Sequence, residues 1–281
     1  STGTVYRARR LTLGDRVALR VLRPDLVQDQ MAVERFRRQA QVAARIRHPN
    51  VVQVYDFGVS TEGAVFIVEE LLSGRTLRDV VREQRGLTLN RIVGIMNQVC
   101  GAVHAAHMNG IVLRDVRPDS IFVDQGVDGR EVIKVGGFGL AKIIGGPSGG
   151  VTMAAAAKVY GRPEYMSPEQ WLDRPLDSRA DGYSLGVILF ELITGVVPFA
   201  ASSPMQIAQL HLQAPVPNLA DYGRYDVDEA VGVIVARALA KEPLLRPPTA
   251  IHLAAEFEAV ASSSGGIVQN LFKKTGLLQM P

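Results

Sequence analysis

The stretch Leu113-Arg114-Asp115-Val116-Arg117-Pro118-Asp119-Ser120 anchors the reading of this chain, with Val17-Ala18-Leu19-Arg20 far upstream and Gly137-Phe138-Gly139 downstream. Any one of these alone is a weak signal, because Arg-Asp-Pro loops and G-x-G turns are common surface features. Further along stand Ser167-Pro168-Glu169, the run D-G-Y-S-L-G-V-I-L-F-E-L-I-T-G over 181–195 and R-P-P-T-A over 246–250. Found together, in this order and at this spacing, they are poorly explained by chance.

Outward from these motifs, alternation broken at Gly14-Asp15 predicts a two-stranded hairpin up to Leu22. Val33, Phe36, Ala40, Ala43 and Ala44 fall at helical spacing over 31–47, and His48-Pro49-Asn50 stops the run. Residues 51–56 and 64–69 read as two more strands. Beyond Ser73-Gly74 the pattern is helical over 77–85, 89–109, 179–194, 205–213, 228–240 and 249–260. The middle, 110–171, is rich in loops, with two short strands and a Gly- and Ala-rich run over 145–157; loops this long in a compact domain are functional or mobile. The tail from Ser262 opens S-S-S-G-G and reads as a linker with a short amphipathic piece. There is no internal repeat.

With 281 residues, 47% apolar and 21% charged, the chain has ordinary globular composition and fits one domain of two lobes. Its only cysteine, Cys100, precludes an internal disulfide and reads as a buried structural thiol, so a reducing, cytoplasmic setting is expected. The formal charge is +3, and the basic clusters Arg7, Arg9, Arg10 and Arg35, Arg37, Arg38 lack interleaved aromatics to stack on bases, so no nucleic acid is expected. The longest apolar stretch, 185–199, is interrupted by Glu191 and Gly195, and no membrane span or signal segment is expected. The chain opens on Ser1 rather than Met, so a longer parent protein is expected.

The ordered motifs resemble the signature set of the protein kinases, and H-P-N-V-V-Q-V-Y-D-F-G and Y-M-S-P-E-Q-W look particularly like the bacterial serine/threonine kinases. The resemblance covers nearly everything to about residue 260. It implies an α+β, bilobal protein-kinase fold. Residues 1–72 would form a small β-rich N-lobe with one main helix and a first strand cut short, residues 73–260 a larger, mostly helical C-lobe, and 261–281 a linker or tail.

In an active member a Gly-rich loop covers the phosphates, a strand lysine paired with a helix glutamate holds them, and an Asp and an Asn bind magnesium. Gly3 and Val5 resemble the end of that loop, but its earlier part is absent. Arg20 stands at the lysine, and a planar guanidinium does not replace a compact ammonium at a packed phosphate site. Gln39 stands at the glutamate. Matching F-I-V-E-E-L-L to the hinge puts Glu69 behind the adenine position, with Glu70 and Leu71 following; Ala18 and Phe122 complete the expected nucleotide cleft. Three placements of these charges stay open: Glu69 pairs with Arg20 and closes the pocket, Glu70 alone faces the hinge, or Arg20 is solvated at a strand end. An unpaired buried carboxylate is costly.

Asp115 matches the aspartate that accepts the substrate hydroxyl proton, but the resemblance implies that it is not functional here. Leu113 replaces histidine and Arg117 lysine, while Ser120 and Gly137 replace the two magnesium ligands, so no metal is expected. Arg162 is expected to neutralise Asp115. Residues 145–160 resemble an activation loop, with hydroxyls Ser148 and Thr152 and with Arg114 to pair a phosphate on Thr152; an unmodified loop is the simpler reading. The retained features are architectural: the Glu169–Arg246 ion pair, Asp181 as a helix-start anchor or an ordinary cap, and Pro168 and Trp171 in packing.

The resemblance thus implies a catalytically inactive or severely impaired pseudokinase, a regulatory or scaffolding module with no cofactor. Its partners would be proteins, either an active serine/threonine kinase or a phosphothreonine-reading domain. The alternative is a weakly active or unconventional serine/threonine kinase that uses Asp115 with ATP and magnesium. A third reading is a nucleotide sensor without catalysis.

Overall fold

Strand β1 (Gly3–Arg9) turns back through Gly14 into β2 (Arg16–Leu22) in the computed structural model, which describes residues 3–84, 86–126, 128–138, 141–143, 162–224 and 227–275. The chain forms two compact units, Ser1–Val80 with Gly101–Gly150 and Val81–Cys100 with Val151–Pro281.

In the first unit, helix α1 (Gln30–Arg45) connects β2 to β3 (Val54–Val59) and β4 (Val65–Glu70), and the antiparallel sheet has the order β1-β2-β4-β3. Its register sets Arg20 between Val5 and Ile67, and Ala18 between Arg7 and Glu69. Cross-strand partners and residues two apart share a sheet face, so Val5, Ala18, Arg20, Ile67 and Glu69 all lie on one side. Helix α1 is capped by the Asp29 carboxylate, which accepts from the backbone N of Met31 at 2.9 Å and of Ala32 at 3.2 Å. Its apolar stripe packs Phe36 and Ala40 against Leu22, Val65 and Ile67. Gln39 lies on that same stripe, which is why a polar residue here is buried.

A second sheet has the order β5-β7-β8, from β5 (Arg75–Thr76), β7 (Ile121–Gln125) and β8 (Glu131–Val135); β6 (Ile111–Val112) pairs with β9 (Lys142–Ile143). The strand expected over 51–56 begins instead at Val54. Val51 forms a parallel bridge to Val135 and the Val52 N donates to the Val135 O at 2.9 Å, so these two valines serve β8 rather than β3. Helices α2 (Leu77–Glu83) and α3 (Leu89–Met108) carry residues of both units.

The second unit is helical: α4 (Pro168–Trp171), α5 (Ser178–Thr194), α6 (Pro204–Gln213), α7 (Glu229–Ala238) and α8 (Ala250–Thr275). Residues Leu185 to Ile193 of α5 are all buried, as expected of a helix apolar all round. Asp177 caps its start and Gly195, at φ 82, ends it in the left-handed conformation. Helix α8 runs on through S-S-S-G-G, where a linker was expected. Each glycine costs a helix about 1 kcal/mol and each serine less, too little to force an end.

Candidate functional site

One cavity of about 240 Å³ lies within the first unit, between the sheet, α1 and the segment that leaves β8. Its lining includes Val5, Ala18, Arg20, Gln39, Glu69, Glu70, Leu71 and Phe122, eight of the nine residues named for the nucleotide cleft, and also Gly137. Gly3 is not in that lining; it stands two residues before Val5, opposite Leu22. Ala43, Val52, Val54, Ile67, Leu72, Gly136 and Phe138 complete the wall.

Arg20 and Glu69 meet on the shared sheet face. Arg20 Nε and Nη2 both donate to Glu69 Oε1, at 3.2 and 2.6 Å, with the two side chains 23% and 10% exposed. The pair therefore forms, but it lines the cavity without closing it. Glu70 is held elsewhere: Lys134 Nζ lies 2.7 Å from its Oε1, and the Gln53 N donates to its Oε2 at 3.2 Å. Lys134 was not singled out from sequence, although it sits just before Gly136-Gly137 on β8, where alternation places its side chain opposite that of Ile133. Gln39 is 9% exposed and lines the same cavity.

The Leu113–Ser120 loop places Asp115 beside a cation of its own segment. Arg117 Nε lies 3.3 Å from Asp115 Oδ1, an ion contact whose angles fall short of a hydrogen bond. Arg114 holds the left-handed backbone at φ 65. The Ser120 hydroxyl donates to the Arg117 O at 2.9 Å and is thereby committed to the backbone. Gly137 has φ 80, and a Cβ there would fall 2.6 Å from the Ser120 Cβ. The two positions at which magnesium ligands were sought are thus packed on one another, with no carboxylate at either. Among the described residues no group of three or more His, Cys, Asp or Glu is placed to hold a metal.

In the second unit Glu169 and Arg246 form a bidentate pair, Nη1 to Oε1 at 2.6 Å and Nη2 to Oε2 at 2.8 Å, with the side chains 7% and 0% exposed. Arg246 also donates to the backbone O of Ala240, Lys241 and Arg179, so its donors are well satisfied. Asp181 is fully buried in the first turn of α5, where Asp177 provides the cap. Arg162 is half-buried, just before the turn Pro163–Tyr165. Pro168 opens α4 behind a capping box of Ser167 and Gln170, and Trp171 ends it. Ser148 and Thr152 lie outside the described residues. No helix among the described residues is long and apolar enough to cross a membrane.

Comparison with known proteins agrees with this fold. The protein kinase domain family model matches residues 1–257. The serine/threonine-protein kinase pkn3 of Myxococcus xanthus is 39% identical over 259 residues, covering 92% of this chain and 47% of that protein. PknB of Mycobacterium tuberculosis is 38% identical over 260 residues, covering 91% of this chain and 40% of that protein. The chain thus spans less than half the length of these curated relatives. Among solved structures, the kinase domain of Mycobacterium tuberculosis PknI superposes with a TM-score of 0.69 at 26% identity, over 92% of this chain and 91% of that one. A β-sheet N-lobe, a helical C-lobe and motifs in register from end to end place this chain in the protein kinase family, among relatives of the bacterial serine/threonine kinases.

Proposed function

We propose that this domain is a pseudokinase that acts by binding protein partners. The observation that carries the reading is Gly137 seated on Ser120, which leaves both metal positions without a carboxylate. Family members gain their rate from positioning and from neutralising charge on the transferred phosphoryl group, with magnesium bridging its oxygens. The residues here do not fit that ion. Arg20, at the phosphate-holding position, is spent on Glu69, and Gln39 cannot replace the charged partner of a lysine. Losing one preorganised electrostatic contact costs a factor on the order of 10² to 10³ in rate, and several are altered together. The intact packing of Glu169 with Arg246 supports a scaffold kept for binding; an active serine/threonine kinase and a phosphothreonine reader are the partner classes this family position suggests. A single buried thiol at Cys100 suits a reducing compartment such as the cytoplasm.

One observation favours a second reading: Asp115 keeps its position in the Leu113–Ser120 loop, 3.3 Å from Arg117 Nε. A weak kinase using ATP and magnesium is that alternative. The test is thermal unfolding with ATP, with and without magnesium, beside a phosphotransfer assay. No shift at millimolar MgATP and no transfer are expected. A magnesium-dependent shift with transfer that Asp115→Asn abolishes would establish the alternative instead.

A further inference from the structure

The β1-β2 hairpin carries five arginines, and the fold neutralises only two of them. Arg10 donates to the Asp15 carboxylate and stacks 4.8 Å over the Tyr55 ring, and Arg20 is bound to Glu69. Arg7, Arg9 and Arg16 are exposed, and none of them has a carboxylate partner among the described residues. The register places these three on one sheet face: Arg9 stands directly opposite Arg16, and Arg7, opposite Ala18, is the diagonal neighbour of Arg16. Opposed residues have Cβ atoms about 4.5–5.5 Å apart and diagonal ones lie about 7–8 Å apart, within reach of long side chains. Like charges set opposite one another in this way are destabilising. Three gathered cations without acids, on a hairpin whose other arginines have them, form the arrangement of a site completed by an external anion.

Geometry and composition narrow the occupant. Arg9 is oriented by the turn, since its Nε donates to the Gly14 O at 2.9 Å, and its two Nη groups remain for an outside acceptor. Converging guanidinium forks match the several oxygens of a phosphate monoester better than the two of a lone carboxylate. The hairpin face consists of Val5, Arg7, Arg9, Arg16, Ala18 and Arg20, with Tyr6 on the other side opposite Leu19. A nucleic-acid strand would find no aromatic platform there on which to stack its bases. Three arginines also fall short of the clusters of about four to eight basic residues that recognise an anionic membrane. Val5, 55% exposed on the same face, offers apolar contact to an extended peptide. None of the three arginines lines the cavity, so the patch is a separate site.

We propose that this face docks a protein segment carrying a phosphorylated serine or threonine, with the phosphate seated among Arg7, Arg9 and Arg16. The nearly dianionic phosphate offsets the repulsion between Arg9 and Arg16, and its oxygens accept hydrogen bonds from their guanidinium groups. This partner chemistry goes beyond the pseudokinase reading and holds whether or not phosphoryl transfer has been lost.

The test is fluorescence anisotropy of the whole chain with a labelled pool of degenerate peptides that share one central phosphothreonine, at about 0.15 M salt. The same pool with threonine, a single-stranded oligonucleotide, phosphatidylserine vesicles and inorganic phosphate as competitor are run beside it. The phosphorylated pool should bind about tenfold or more tightly than the unphosphorylated one, and Arg9→Gln or Arg16→Gln should each weaken it about tenfold. Arg130→Gln, which removes the same charge from the turn between β7 and β8, should leave it unchanged. Arg7→Gln carries the same test should either hairpin variant fail to fold. Equal binding of the two pools overturns the site, and so does an equal loss in all variants, which would reduce it to net charge. Tighter binding of the oligonucleotide or the vesicles would assign the face to nucleic acid or membrane instead, and competition by inorganic phosphate at the affinity of the peptide would leave a free-anion site only. No nucleotide enters the assay, so its failure leaves the pseudokinase reading standing.

Discussion

Arg20 and Glu69 face each other because β2 and β4 are neighbours in register, and their charges offset a desolvation that neither could bear alone. Removing one partner of a fully buried pair costs about 3–5 kcal/mol and of an exposed pair at most about 1 kcal/mol. Because Arg20 keeps partial access to water, Glu69→Ala is expected to cost about 2 kcal/mol in urea unfolding. The double change Arg20→Met with Glu69→Leu, which leaves no charge behind, should return to within about 1 kcal/mol of the starting stability. Arg246 has no such access, so Arg246→Ala should cost the full 3–5 kcal/mol or so. At Gly137 the conformation at φ 80 and the nearby Ser120 Cβ both resist a side chain. Gly137→Asp should lower stability by about 1–3 kcal/mol without restoring magnesium binding. Adding Ser120→Gly should recover part of that loss in thermal unfolding, since it removes the clashing atom.

Among the elements, α1 connects packing to the candidate site. Its cap, Asp29, satisfies two amide donors at the helix start, so Asp29→Ala should cost about 1 kcal/mol, readable in urea unfolding. Spacing of Phe36, Ala40 and Ala43 made this helix legible in the sequence, since burial of one stripe dictates the period. The strand after it was misplaced, because two adjacent valines carry no information about which neighbouring strand will take their hydrogen bonds. The end of α8 was misplaced for a related reason: Ser and Gly weaken a helix by amounts that the surrounding chain can override.

On the scale of the whole molecule, α6 brings His211 fully inside the second unit, with Tyr183 Oη 2.9 Å from its Nδ1 and the Phe199 ring edge-on. Burial, with the Lys241 ammonium second, pushes the imidazole down to about 3 from 6.5. The unfolded chain therefore binds one proton more than the folded chain between those values. Stability rises with pH across that window and is lost as pH falls below about 6.5. From pH 7 to pH 5 the loss should be about 2 kcal/mol, measured by urea unfolding at each pH, and His211→Gln should flatten it. Burial likewise pushes the Cys100 thiol up to about 12, so it should react with thiol reagents only as the chain unfolds.

Order and spacing of motifs determined the family and the fold, because a hydrophobic period and a string of local signatures survive in one dimension. The same string exposed which residue types stand at Arg20, Gln39, Ser120 and Gly137. Only the tertiary structure decided that Arg20 takes Glu69 rather than leaving Glu70 alone at the hinge, that Lys134 holds Glu70, that Gly137 rests on Ser120, and that a cavity persists beside the ion pair. These are outcomes of strand register and of van der Waals contact between segments distant in sequence, and no residue's identity encodes the position of a partner it meets only on folding.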